Sequence, residues 1–272
     1  MLRRAFQRFV VEPTVACDAD QGVPGPGPRS PDFKAVVVGL SVAVLLTLMN
    51  FVTLDRDVQT TAALAMRDAV ALLPAGALQD ALRALEPVYR QIAWATGCVT
   101  FYFVIPALIV VGVFREPLSE YGMSPRGFLR HLPLYLLLFV PVLGAVIVVS
   151  YTPEFQGTYP FHHHPVAMFD LLVWEAFYCL QFFALEFFFR GFMVHGLKRR
   201  IGWVAVPAMV IPYCMIHFGK PMPEALGAIV AGSVLGVLSL RTRSIWGGVF
   251  IHSAVAVAMD WASLVQRHAV PW

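Results

Sequence analysis

Seven stretches of the chain are apolar with little interruption: 33–54, 92–114, 132–151, 168–194, 203–218, 224–240 and 245–266. About 20 predominantly apolar residues in a helix cross the hydrocarbon core of a bilayer, so each stretch predicts a transmembrane helix. The fifth and sixth are the shortest. Polar residues collect between the runs instead of alternating within them, which favours helices over strands. Residues 55–91 break the pattern. Their middle, TAALAMRDAVALLPAGALQDALRAL, alternates apolar and charged positions at helical spacing and predicts an amphipathic helix lying at the membrane surface.

The pattern therefore predicts an all-α polytopic membrane protein with about seven transmembrane helices. Residues 1–32 contain DADQGVPGPGPRSPD, whose Pro and Gly content resists both helix and strand. They form a flexible cytoplasmic tail and lack the features of a signal peptide. Residues 33–166 hold the N-terminal spans and the surface segment, and 167–266 form a C-terminal four-helix core.

Composition strengthens the membrane reading. The chain is 58% hydrophobic and only 14% charged, against about 25% charged in soluble domains. A net charge of +3 is too small to argue for nucleic acid. Cys17, Cys98, Cys179 and Cys214 have no CxxC spacing, and the three in apolar runs read as buried thiols. With the N-terminus cytoplasmic, thirteen of the 20 Lys and Arg residues fall on that side and six on the other, with Arg190 inside the membrane. Seven crossings then place the C-terminus outside.

An ionisable side chain at depth in a bilayer costs about 2.5–3.5 kcal/mol on insertion scales, so each one is a functional candidate. Here these are Glu175, Glu186, Arg190, His217, His252 and Asp260. Within FFALEFFFRGFMVHG at 182–196, Glu186 and Arg190 are four apart and share a helical face. Glu175 lies eleven residues before Glu186, about three turns, on nearly the same face. Two histidines and a glutamate on successive spans could hold and deprotonate a water for attack on an amide carbonyl, with one histidine stabilising the oxyanion. The same set, His217, His252 and Glu186, could alternatively hold a divalent metal.

Other motifs carry less. The sequence has no HExxH, GxSxG or phosphate-binding glycine loop. GAIVAGSVLG, with small residues four apart, predicts close helix packing. The tract His162, His163 and His164 in YPFHHHPVA reads as an interfacial loop on the outer side.

LEFFFRG at 185–191, YCMIH at 213–217 and IHSAVA at 251–256 resemble the three motifs of the CAAX-protease and bacteriocin-processing (CPBP) membrane proteases. The family pattern is Glu-Glu-x-x-x-Arg, Phe-x-x-x-His and His-x-x-x-Asn on successive transmembrane helices. The resemblance covers about 167–266. It implies a glutamate-type intramembrane endopeptidase with a catalytic membrane core, and a divergent bacterial branch in the inner membrane. Glu186, His217 and His252 are then catalytic, and Arg190, Tyr213 and Glu224 supporting. No cofactor is required, although some relatives were first regarded as metalloproteases. The substrate is a membrane or lipid-anchored protein reached through the bilayer, with a C-terminal sorting or anchor segment as one form. Leu185 replaces the first glutamate of the pattern, Ala256 the asparagine, and Tyr213 the aromatic of the second motif. Glu224, seven residues after His217, is a candidate for the missing carboxylate. A catalytically silent immunity or scaffold protein, and a transporter using the same charged groups as a proton relay, are the rival readings.

Straight helices set one geometric obstacle. They place Glu186 in the cytoplasmic half and His217 near the outer end, too far apart to share a water. A broken or re-entrant helix removes the obstacle, and Pro207, Pro212, Pro221 and Pro223 provide the means to break one.

Overall fold

The computed structural model describes Gln7, Glu12 and residues 33–126, 128–163 and 165–271. The tail assigned to 1–32 lies outside the described residues except at Gln7 and Glu12. The described residues contain helices and no strand.

α1 (Phe33–Leu48) is prolonged by a π turn at Met49–Thr53. α2 (Arg56–Ala71) and α3 (Ala77–Arg83) follow. α4 (Tyr89–Val99) and α5 (Ile105–Leu108) run on through π turns to Phe114. α6 (Phe128–Val149) and the short α7 (Pro153–Thr158) lead to α8 (Met168–Glu186). Beyond Glu186 the helix widens into a nine-residue π run, Phe187–His195, and ends as α9 (Gly196–Ile201). α10 (Ala205–Met215), α11 (Met222–Thr242) and α12 (Trp246–Gln266) complete the chain.

Among the described residues six helical runs, not seven, are long and apolar enough to cross a membrane: Phe33–Thr53, Glu86–Phe114, Phe128–Val149, Met168–Met215, Met222–Thr242 and Trp246–Gln266. The sequence separates 168–194 from 203–218, whereas in the structure both belong to the 48-residue run Met168–Met215. That run bends at Gly202, where φ is 60° and ψ −141°, a conformation that glycine alone reaches without strain. α10 has 11 residues and is about 16 Å long, roughly half of a hydrocarbon core about 30 Å thick. Its apolar sequence looks like a span because residues 216–218 add greasy side chains after the helix has ended.

The chain divides into two compact units. The first comprises 33–45, Tyr102–Pro133 and Leu185–Val249. Its interior is aromatic. All nine residues of Phe187–His195 are buried, and Phe188 lies 5.0 Å from Tyr102, ring centre to ring centre, as Phe187 does from Phe103. α10 packs closely on α11 because Gly232 and Gly236 have no side chain. A Cβ there would come within 3.0 Å of Tyr213 and 2.8 Å of Val206, so the small-residue spacing serves the close packing predicted from it. The start of α12 is tied to the loop after Tyr121. Ile245 N donates to Gly122 O at 2.9 Å, Ser244 Oγ to Ser124 O at 3.0 Å, and Trp246 Nε1 to Met123 O at 2.9 Å.

The second unit comprises Leu46–Phe101, Leu134–Ala184 and 250–271. The segment between the first two spans forms two helices, α2 and α3, rather than one. The Asp55 carboxylate caps α2, accepting from the amides of Asp57 and Val58 at 2.9 Å. No residue of α2 is buried. Around the turn at 72–76, Gln79 Nε2 donates to Val70 O and Leu73 O at 3.1 and 3.0 Å. The core of this unit gathers Val88, Leu171, Trp174, Tyr178, Ala256 and Leu264.

His162 and His163 lie in a loop between α7 and α8, as read from the sequence, but His162 is not at the surface. His162 is buried, with Nε2 2.8 Å from Asp170 Oδ2. Asp170 also accepts from the amides of Val166 and Ala167 at 3.0 and 2.6 Å, closing the first turn of α8. His164 lies outside the described residues.

Candidate active site

Glu186 closes α8 and Arg190 sits one turn on, inside the π run. The i, i+4 spacing pairs them as the sequence predicts, with Arg190 Nη1 3.0 Å from Glu186 Oε1. Glu186 is 1% exposed and Arg190 0%. The contact lies off the line of a well-directed hydrogen bond. The guanidinium instead lies over the Tyr213 ring, 4.2 Å from its centre. Arg190 therefore supplies compensating charge without clamping both carboxylate oxygens.

Gly202 removes the geometric obstacle between Glu186 and His217. Arg190 lies 12 residues before this turn and Tyr213 11 after it, and the two are in contact. The arms are thus antiparallel, with residues equally distant from Gly202 facing each other. Glu186 lies 16 residues before Gly202 and His217 15 after it. The chain reversal that sets Arg190 on Tyr213 removes the straight-helix premise that placed Glu186 and His217 at opposite depths.

His217 follows α10 and folds back on it. Its ring packs edge-on against Tyr213 at 5.0 Å, and its Nδ1 lies 2.8 Å from Tyr213 O. A carbonyl only accepts, so Nδ1 carries the proton and the neutral ring presents Nε2 as its basic atom. Tyr213 thus touches both Arg190 and His217, and it is 2% exposed. Glu224 stands in the first turn of α11, where an acid is favoured, and pairs with Lys220 at 2.6 Å.

His252 belongs to the second unit. It stacks on Phe182 with ring centres 5.6 Å apart. Ala256, at the position of the expected asparagine, is buried in the apolar core of that unit with Trp174 and Tyr178. Leu185, where the pattern has its first glutamate, is buried too. Among the described residues no three of His, Cys, Asp and Glu come together as a metal site requires.

The two remaining acids have separate circumstances. Asp260 is fully buried and accepts from Trp174 Nε1 at 2.7 Å, so the indole finds the partner that a buried tryptophan needs. Glu175 is 7% exposed, and neither of its oxygens has a hydrogen-bond partner among the described residues. A buried carboxyl without a partner is costly. Glu175→Met should therefore stabilise the protein by about 1–3 kcal/mol, the usual cost of an unpartnered buried polar group, measured by unfolding in detergent. A loss of stability would mean that the carboxyl has a partner on which the fold depends.

Sequence reasoning missed His195. This buried side chain ends the π run with Nε2 3.0 Å from Ser239 Oγ and Nδ1 3.0 Å from Lys198 Nζ. An ammonium only donates, so Nδ1 accepts and Nε2–H donates to the serine. The imidazole cannot take a proton from Ser239 in this arrangement. The trio joins the end of the π run to α11 and is no serine-nucleophile site. Lys198, three residues on, was the local signal; Ser239, 44 residues away, gave none.

Arg190 thus links a buried carboxylate on its own helix to Tyr213 and, through that ring, to His217 on the returning arm. Residues 167–258, about a third of the chain, match the family model described as type II CAAX prenyl endopeptidase Rce1-like, a match consistent with a CAAX-type intramembrane protease. The match takes in Glu186, Arg190, Tyr213, His217, Glu224 and His252. No curated protein and no solved structure matches the chain.

Proposed function

We propose that this protein is an endopeptidase that hydrolyses a peptide bond of a membrane-associated protein, using a water activated by Glu186. Its substrate is a spanning or lipid-anchored chain that enters sideways from the bilayer, with a C-terminal sorting or anchor segment as one form. The N-terminus faces the cytoplasm, in keeping with the bias of basic residues, and the membrane is the bacterial inner membrane.

The observation that supports this reading is the chain reversal at Gly202, which brings Arg190, the partner of buried Glu186, onto Tyr213, the ring on which His217 packs. Glu186 takes a proton from the water as the oxygen attacks the carbonyl carbon. His217, with Nε2 as its basic atom, positions that water. His252 donates to the carbonyl oxygen as it becomes an oxyanion. Collapse breaks the C–N bond, and the proton held by Glu186 passes to the leaving amine. Arg190 keeps Glu186 ionised between turnovers, and Tyr213 holds Arg190 and His217 in place. Glu224 supports the loop that carries His217 through its pair with Lys220.

Purified wild type, His217→Ala and His252→Ala are compared for cleavage of co-expressed membrane substrates, with and without chelator. Each variant is expected to lose about 10²-fold or more in rate, and chelator to have no effect. Loss of wild-type cleavage on adding chelator would assign the water to a metal instead.

A second reading has its own support. The asparagine position is filled by Ala256 within an apolar core, which supplies no amide donor to an oxyanion. A catalytically silent scaffold or immunity protein would then fold normally and release no product from any substrate.

A further inference from the structure

We propose that Gly248 is a positioning residue for Glu186, the absent side chain at 248 forming the notch in which the catalytic carboxylate lies. The proposal rests on the reading of Glu186 as the base. A Cβ on Gly248 would lie 2.1 Å from Glu186 Oε2, 2.6 Å from Cδ and 3.2 Å from Oε1. No methyl group and carboxylate coexist at such distances. Gly248 is the third residue of α12, where glycine is a poorer helix former than alanine, so the notch is kept against local helix preference.

Neither side of the contact has room to yield. The start of α12 is tied by the bonds of Ile245, Ser244 and Trp246 to residues 122–124. Glu186 is fully enclosed and faces Arg190 through Oε1. Its two oxygens thus have different surroundings: Oε1 meets the guanidinium and Oε2 the bare backbone of Gly248. A side chain at 248 would push the carboxylate out of this orientation while leaving every other proposed site residue unchanged. Gly227 on α11 makes the contrast, since a Cβ there would meet nothing within 4 Å.

The test measures thermal unfolding of detergent-purified Gly248→Ala in three backgrounds: wild type, Glu186→Gln and Glu186→Ala. Gly227→Ala serves as the control for helix propensity. Gly248→Ala should lower the midpoint in the first two, where a full-length side chain fills the notch. In Glu186→Ala, with the notch empty, it should leave the midpoint unchanged or raise it, as Gly227→Ala does throughout. The same shift in all three backgrounds would overturn the proposal. If Gly248→Ala alone fails to accumulate, recovery on combination with Glu186→Ala would support the notch, and continued failure would overturn it. In the cleavage assay, Gly248→Ala should lower kcat with KM unchanged, and adding Glu186→Asp, one methylene shorter, should recover part of kcat. Unfolding coupling without a fall in kcat would make the notch structural only and overturn the positioning role. A wild type that cleaves nothing would sink the protease reading, while the unfolding coupling still decides whether the notch exists.

Discussion

Glu186→Gln is expected to cut peptide hydrolysis by about 10²–10⁴-fold, the usual contribution of a general base, without unfolding the protein. The amide keeps the length and planarity of the side chain, and its oxygen still faces Arg190, so the aromatic packing of Phe187–His195 has no reason to change. What disappears is the group that accepts the proton of the attacking water. The measurement is product release from a co-expressed membrane substrate, normalised to folded protein. Glu224→Gln is the informative companion. Glu224 pairs with Lys220 and is partly exposed, so its loss should cost less than tenfold. If the two variants exchange these outcomes, the carboxylate that replaces the missing glutamate of the motif is Glu224, and Glu186 is an anchor for Arg190.

The fold was legible wherever one helix and its solvent decide the matter. Apolar runs of about twenty residues marked five of the crossing helices, because a span is recognised by length and composition alone. The surface segment was legible as helix, although its division into α2 and α3 follows from the turn at Pro74 to Gly76. What failed was 203–218. Hydropathy counts greasy residues and does not register a chain reversal at Gly202, so a half-length arm with an apolar loop resembled a full span. That single turn brings Arg190 onto Tyr213 and so joins the two arms of the candidate site.

The site was legible as far as its partners lie close in sequence. Glu186 and Arg190, four apart, declared each other. Contacts between distant segments left no trace: His195 meets Ser239 44 residues on, and Gly248 meets Glu186 62 residues back. His162 lies in a loop as read, but its burial was not legible, because Asp170 eight residues later draws it inside. In each case the deciding fact is a tertiary neighbour, and such a neighbour has no period to detect.

Arg190→Ala should destabilise the protein by about 3–5 kcal/mol, the cost of leaving one member of a buried ion pair uncompensated. Glu186 has 1% of its surface exposed, so bulk solvent would screen its uncompensated charge poorly. Tyr213 would lose the cation on its ring as well, a further 0.5–2 kcal/mol, roughly. The double variant Arg190→Met with Glu186→Leu separates charge from packing. Two apolar side chains of similar volume restore the contacts with no charge to desolvate, so its stability should return to within about 1–2 kcal/mol of wild type or exceed it. Unfolding in detergent or denaturant measures both variants. Recovery in the double variant would mean that the pair is kept at a net cost to stability, as a base and its counter-ion would be. A double variant as unstable as Arg190→Ala would make the pair a structural bond and weaken the case for Glu186 as catalyst.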